Sequence, residues 1–248
     1  MIKITHKKLT ALCDIAAALV PECRLMITED GMNTAAVDTA NVAMIQFRLS
    51  KEQFDEFKVE PEEIGMDVVK WKAAIAIMKG DEMAIGKKDG RIMITDGSYV
   101  YLLSPLDPTS IRKRPNIPRL APMAGLEIDP EKYSEVISAM GKIGDKVRLS
   151  ITGKSVELIV EGDNDQLRRI IEGDVPDGET PHKGTVSSLF SWNYLKDTAK
   201  AMKGAGKITM HLSQDHPVRF DFDLESIEAT YLIAPRIEVE SGKEATAE

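Results

Sequence analysis

The sequence is short of several things, and each shortage excludes a class of protein. Only two cysteines, Cys13 and Cys23, occur in 248 residues. They are too few for a disulfide framework and are not a Cys-x-x-Cys pair, so both read as reduced thiols in a cytoplasmic protein. The four histidines (His6, His182, His211, His216) show no paired ligand spacing, so no zinc site and no cofactor is expected. Aromatic residues make up 5%, and the core must therefore rest on Ile, Val, Leu, Met and Ala. No apolar run approaches the ~18 residues that a membrane span requires. The opening MIKITHKKLT enters patterned sequence directly, without the apolar stretch of a secretory signal. Gly-x-Ser-x-Gly elbows and dinucleotide glycine fingerprints are missing. Gly153-Lys154-Ser155 has the ending of a phosphate loop, but Arg148 stands where that motif needs glycine, and the strand-like VELIVEG follows where it needs a helix. A hairpin turn is the better reading. The acidic runs Glu60–Glu63 and Glu161–Asp165 read as solvated loops, and nothing in the residues argues for an enzyme.

What is present is a repeat. Met78-Lys79-Gly80 recurs as Met202-Lys203-Gly204, an offset of 124 that is half of the 248-residue length. Arg24-Leu-x-Ile-Thr recurs as Arg148-Leu-x-Ile-Thr at the same offset, each followed by a turn signal (Asp30-Gly31, Lys154-Ser155) and a second strand pattern. Upstream of each lies a helical stripe. Leu9, Leu12, Cys13, Ala16 and Leu19 form the first, and Tyr133, Val136, Ile137, Met140 and Ile143 the second. A later pair of helices carries Trp71, Ile75 and Met78 in one half and Trp192, Leu195, Ala199 and Met202 in the other, with Gly80 and Gly204 in C-cap position. Each half thus reads as helix, strands, helix, strands. Residues 1–111 form one domain, 126–238 the second and 239–248 an acidic tail. Three prolines in Arg112–Gly125 make that stretch an extended connector.

The net charge of −8 is the wrong sign for a nucleic-acid binder, but its distribution matters more than its sum. Lys196, Lys200, Lys203 and Lys207 are spaced 4, 3 and 4, which predicts one row along a helix beside its apolar stripe. Lys72 and Lys79 repeat the arrangement in the first half, Lys7 and Lys8 open the first helix, and Lys142 lies at the end of the third. Most of the acid falls in loops, strand ends and the tail. Basic helices within an acidic whole would draw a polyanion to one surface only.

Several segments together resemble one family. Tyr231–Glu238 (YLIAPRIE), Met32–Leu49 (MNTAAVDTANVAMIQFRL), Ser213–Phe222 (SQDHPVRFDF) and Ile143–Ile151 (IGDKVRLSI) are similar to the proliferating cell nuclear antigen family, the sliding clamps of archaea and eukaryotes. Length and tail look archaeal. The resemblance implies an α+β fold of two tandem-duplicated clamp domains, with antiparallel sheets outside and helices lining an inner face. It implies a homotrimeric ring that encircles duplex DNA, acts as a processivity factor in replication and repair, and tethers DNA polymerase, clamp loader, ligase and flap nuclease. The lysines named above would be DNA-facing. Short partner peptides would dock in a groove at Val37, Ile117, Pro118, Leu120, Pro217, Ala234, Pro235 and Ile237. Subunits would join at strand edges within Thr109–Arg114 and Asp165–Ile171, through Ile111, Arg112, Lys113, Leu167, Arg169 and Ile171. The alternative is a checkpoint-type clamp subunit of a heteromeric ring. The expected cellular location is cytoplasmic, with the nucleoid.

Overall fold

The computed structural model describes residues 1–115 and 124–237. The chain opens with β1 (Ile2–Thr5) and α1 (His6–Ala17), followed by β2 (Glu22–Thr28), β3 (Gly31–Val37) and β4 (Ala43–Ser50). A two-residue β5 (Glu56–Phe57) and β6 (Glu62–Asp67) lead into α2 (Val68–Ile77). The first half closes with β7 (Glu82–Lys88), β8 (Arg91–Thr95) and β9 (Val100–Leu103). The second half repeats the order as β10 (Ala124–Ile128), α3 (Pro130–Met140), β11 (Lys146–Gly153), β12 (Ser155–Glu161), β13 (Gln166–Glu172) and β14 (His182–Ser191). It ends with α4 (Trp192–Met202), β15 (Ile208–Leu212), β16 (Val218–Leu224) and β17 (Ile227–Ile233). Only β5 lacks a counterpart.

The helices start where the local chemistry provides a cap. Thr5 accepts from Lys8 N, Asp67 from Lys70 N, and Asp129 from Glu131 N and Lys132 N ahead of Pro130. α4 begins at Ser191 without a side-chain cap, but Trp192 N donates to Asp145 O at 2.8 Å.

All strand pairing among the described residues is antiparallel. Three sheets form, in the orders β5-β1-β7-β8-β9, β10-β15-β16-β17-β4-β3-β2-β6 and β13-β12-β11-β14. The eight-stranded sheet is where the halves fuse, because β17 of the second half pairs with β4 of the first, Tyr231 standing opposite Ile45. Alternation along each strand then sorts the faces. On β4, Ala43, Ile45, Phe47 and Leu49 are buried against the helices while Met44, Gln46 and Arg48 face away. All four helices share one side: α1 packs on α2, α3 on α4, and α1 meets α4 across the junction. One continuous core includes Trp71, Tyr133, Phe47, Phe190 and Phe220. A buried hydrogen bond ties the halves, Tyr231 OH donating to Ile15 O at 2.7 Å.

Some local expectations need correction. The hairpin turns are Glu29-Asp30 and Gly153-Lys154, one residue earlier than the turn signals, since Thr28 pairs with Gly31 and Thr152 with Ser155. α1 and α3 stop at Ala17 and Met140, leaving Leu19 and Ile143 in the following turns. Ala124 and Gly125 belong to β10 rather than to the connector. The two Met-Lys-Gly segments also differ. Gly204 has φ +96, the left-handed conformation that ends a helix, whereas Gly80 does not adopt a positive φ. Gly80 is favoured instead by close approach, since a Cβ there would lie 3.0 Å from Asp96 Cβ and 3.3 Å from Asp96 O. Asp96 Oδ2 accepts from Lys79 N and Gly80 N, and Oδ1 from Tyr99 N and Ser98 N, which holds its carboxyl well below the usual carboxylate range. Gly204→Ala, whose new methyl would meet Leu224 Cδ1 at 3.7 Å in an ordinary van der Waals contact, should therefore cost about 1 kcal/mol through backbone conformation. A thermal melt lowered by ~2–4 °C checks it.

Candidate nucleic-acid and partner interfaces

Three surfaces follow from this arrangement. The first is the exposed side of the helix layer. α1 to α4 carry seven lysines against four carboxylates, in a chain whose overall charge is −8. Where α1, α2 and α4 meet the β16–β17 turn, a cleft of about 690 Å³ is lined by Lys7, Lys72, Lys200 and Lys203, with Asp14, Asp197 and Glu225 among them. Lys7 Nζ lies 2.7 Å from Glu225, Lys72 Nζ 2.6 Å from Asp14 on α1, and Lys203 Nζ 3.3 Å from Glu131 on α3. Lys196 sits 4.8 Å over the Trp192 ring and 3.4 Å from Asp197. Lys200, Lys79 and Lys142 are exposed and have no ion pair among the described residues.

Two of the expected lysines leave this layer. Lys8 Nζ donates to Gln53 O at 2.7 Å and is half-buried, so it fastens α1 to the loop after β4. Lys207 does not extend the α4 row, because the helix ends at Met202 and the chain turns at Gly204 into β15. Lys207 lies instead beside Gln46, Arg48, Arg219 and Asp221 on the opposite face of the eight-stranded sheet. It pairs with Glu127 at 2.6 Å, a bond that raises its pKa. The helices also carry acid of their own, Asp14 on α1, Glu131 and Glu135 on α3 and Asp197 on α4. Lys70, paired with Asp67 at 3.2 Å, is an exposed cation of α2 that the lysine spacing missed.

The second surface consists of two open sheet edges. β9 closes one end of the five-stranded sheet, and β13 one end of the four-stranded sheet. Val100 is 60% exposed on β9 and Ile170 45% on β13. Gln166–Glu172 is thus an edge strand carrying Leu167, Arg169 and Ile171, of which Ile171 is buried, Leu167 half-buried and Arg169 exposed. Thr109–Arg114 is not an edge. Pro108–Ser110 is a 3-10 turn, Ile111 is buried, and Arg24 donates to Ile111 O from both Nε (3.1 Å) and Nη2 (2.7 Å). Arg112 Nη1 donates to Asp38 O at 2.9 Å and Asn41 Oδ1 at 2.6 Å, so it is bound within its own chain. Lys113 is exposed beside it. The edge that the sequence reading overlooked is β9. Its signal was there: β9 holds in the first half the position that β17 holds in the second.

The third surface lies at one end of the eight-stranded sheet, where β3, β4, β17 and β16 finish together. Val37 pairs with Met44, Ala43 with Ile233, and Val218 with Ile233, which brings Val37, Pro217, Ala234 and Pro235 to the same end. All four are half-buried, and Ile237 beyond them is 89% exposed. Ile117, Pro118 and Leu120 lie outside the described residues. Asp38 organises this end. Its Oδ1 accepts from Val42 N and Ala43 N at 2.8 Å each, and its Oδ2 from Ala40 N at 3.2 Å and from Tyr194 OH at 2.6 Å. Burial pushes the Asp38 carboxyl up, but these donors outweigh it and hold the group below its ordinary range. Tyr194 is pushed up to about 12 by burial and by the Asp38 charge. Tyr194 belongs to α4, so this bond also joins the two halves. Among the described residues no group of three or more His, Cys, Asp or Glu side chains could hold a metal, and no helix is long and apolar enough to cross a membrane.

Two repeats fused through one shared sheet, four helices on one side and an open edge at each end define a duplicated clamp-type subunit. Residues 4–89 match the family model for the proliferating cell nuclear antigen N-terminal domain, and residues 117–237 that for its C-terminal domain. The chain belongs to the proliferating cell nuclear antigen family. It is 40% identical to the DNA polymerase sliding clamp of Methanoregula boonei over 231 residues, covering 90% of this chain and 93% of that one. It is 38% identical to that of Methanosphaerula palustris, covering 92% and 94%. Among solved structures, A. fulgidus PCNA bound by the C-terminal region of FEN-1 superposes with a TM-score of 0.85 at 30% identity, covering 97% of this chain and all of that one. PCNA from Thermococcus kodakaraensis superposes at 0.84 with 17% identity, covering 95% and 100%, a likeness of fold alone.

Proposed function

We propose that this chain is a DNA polymerase sliding clamp, a processivity factor that closes as a homotrimeric ring around duplex DNA. The observation that carries the ring is the internal junction. β4 and β17 pair within the chain, while their repeat counterparts β13 and β9 are left open at opposite ends. Unpaired edges are a liability, and head-to-tail pairing of β13 with β9 of a second copy removes both. The strand registers carry the correspondence further. Ile45 corresponds to Leu167 through the β3–β4 and β12–β13 pairings, and Tyr231 to Tyr101 through β16–β17 and β8–β9. Since Ile45 faces Tyr231 inside the chain, Leu167 would face Tyr101 of the next copy. The same repeat relation brings the exposed Ile77 of α2, counterpart of the buried Ala201, against α3 of that copy.

The four helices would then line the hole, and Lys7, Lys72, Lys79, Lys142, Lys196, Lys200 and Lys203 would meet phosphate rather than base edges, so that binding is independent of sequence. Polymerase, clamp loader, ligase and flap nuclease would attach through short peptides at the Val37, Pro217, Ala234-Pro235 and Ile237 end. The FEN-1 segment bound to A. fulgidus PCNA supports this reading. The protein itself would catalyse nothing and would work on the nucleoid in the cytoplasm. The 1–111 and 126–238 units act as two of the ring's six repeats. Family membership favours this over a checkpoint-type subunit.

The test is primer extension by a replicative polymerase on a primed circle, with and without a clamp loader. Loader-dependent lengthening of products is expected. Changing Lys196, Lys200 and Lys203 together to Ala should weaken DNA retention by about tenfold or more at low salt. Unchanged product length with that variant would refute the helix-layer assignment.

A further inference from the structure

The cleft between α1 and α4 is not simply basic, and this sets how strongly it can hold a duplex. Of its four lysines, Lys7 and Lys72 each carry a carboxylate of the same cleft, Glu225 at 2.7 Å and Asp14 at 2.6 Å, and Lys203 is paired with Glu131 at 3.3 Å. Lys200, in the same cleft, has no ion pair among the described residues. The pairs are not accidents of sequence neighbourhood. Asp14 reaches across from α1 to α2, and Glu225 comes from the β16–β17 turn of the other half, held at φ +53. The repeat supplies an internal comparison, because the position equivalent to Asp14 in the second half is Ser138, and Lys196, equivalent to Lys72, turns to Asp197 and the Trp192 ring.

We infer that Asp14 and Glu225 are built-in counterions which occupy Lys72 and Lys7 and so weaken the grip of the helix layer on duplex phosphates. A phosphate approaching the cleft must displace a carboxylate that cannot diffuse away, and the displaced carboxylate stays nearby and repels it. A lysine held in this way contributes little to the release of mobile counterions, which is the step that drives protein–DNA association. The consequence is a surface that touches DNA in many places but adheres in few, which suits a protein that must move along its ligand. The inference rests on the reading that the helix layer faces DNA, and the experiment separates the two.

The measurement is equilibrium binding of the whole protein to a linear duplex of about 30 base pairs across a salt series, with wild type, the Asp14→Ser/Glu225→Gln double variant and Lys200→Ala. Asp14→Ser copies the residue that the second half already carries. Each freed lysine should add about −0.9 to the slope of log K against log salt. The double variant should therefore be steeper by about 1.8 and bind roughly tenfold more tightly at low salt. If Lys200→Ala weakens binding while the double variant keeps the wild-type slope and affinity, the counterion role is overturned and the helix-layer reading stands. If neither variant moves the slope, the helix layer does not meet DNA and both fall. A melting curve for each variant verifies that the fold is intact. Should the double variant melt early, Asp14→Ser alone, with an expected slope change of about 0.9, decides the same question.

Discussion

Leu167→Asp should convert the ring to single subunits. In solution the wild-type protein is expected at about 82 kDa, three times the 27.4 kDa chain, and the variant at one third of that, by light scattering or sedimentation. Leu167 is half-buried, packed on the core at the open edge of β13, where the proposed ring would set it opposite Tyr101 of a second copy. A carboxylate there would be buried without a partner on assembly, at a cost of ~3 kcal/mol or more per contact, a factor of about 100 in the association constant. Because every copy carries both edges, the register itself can be tested. Leu167→Asp with Tyr101→Lys places opposite charges across each boundary and should recover the trimer, whereas Leu167→Asp with Tyr99→Lys should recover less. Persistence of the 82 kDa species in Leu167→Asp, with the melting temperature unchanged, would show that the copies join elsewhere.

The second large effect concerns stability. Asp38→Ala strands the N–H groups of Ala40, Val42 and Ala43 and the hydroxyl of Tyr194 at a nearly buried position. Hydrogen bonds to a charged acceptor contribute ~1.5–3 kcal/mol each but overlap heavily, so a total loss of about 3 kcal/mol is expected. For a chain of this size that lowers the melting temperature by about 6–12 °C. Tyr194→Phe removes one of the four donors and should cost about 1 kcal/mol. The pH dependence follows from the sign of the shift. The Asp38 carboxyl is held below its unfolded value, so its stabilisation is complete above the ordinary carboxylate range. It is lost as pH falls through the lower folded value, which lies below 3.8. Denaturant midpoints for wild type should therefore fall with acid more steeply than those of Asp38→Ala. Parallel curves would show that the carboxylate charge plays no part. The same variant loosens the sheet end that carries Val37 and Ala234, so it should also weaken capture of partner peptides.

Much of the architecture was legible in the sequence because duplication writes itself twice. The stripes Leu9–Ala16 and Tyr133–Met140 and the recurrent Arg-Leu-x-Ile-Thr identified two equivalent halves, since each element needs the same apolar period to cover its own sheet. The lysine spacing located α4, and the resemblance to the clamp family named Val37, Pro217, Ala234 and Pro235, which the strand registers bring to one end of the eight-stranded sheet. Spacing could not say where a helix stops. Lys207 continues the 4-3-4 row on paper, yet the left-handed Gly204 reverses the chain and delivers it to the far face of the sheet. Nor could it say which cations are already engaged, because Lys72–Asp14 and Lys7–Glu225 join residues 58 and 218 positions apart. Arg112 read as an interface charge until the fold placed a carbonyl oxygen of Asp38 within reach.

By itself, then, the sequence determined the number of halves, the type and order of most of their elements and the faces those elements bury, all of which follow from local periodicity and capping. Which strand edges remain open, which lysines stay unpaired and how Asp38 binds one half to the other were decided only by the tertiary structure. Edges, ion pairs and buried hydrogen bonds are relations between residues far apart in the chain, and their energy depends on distance in space, which no spacing along the sequence encodes.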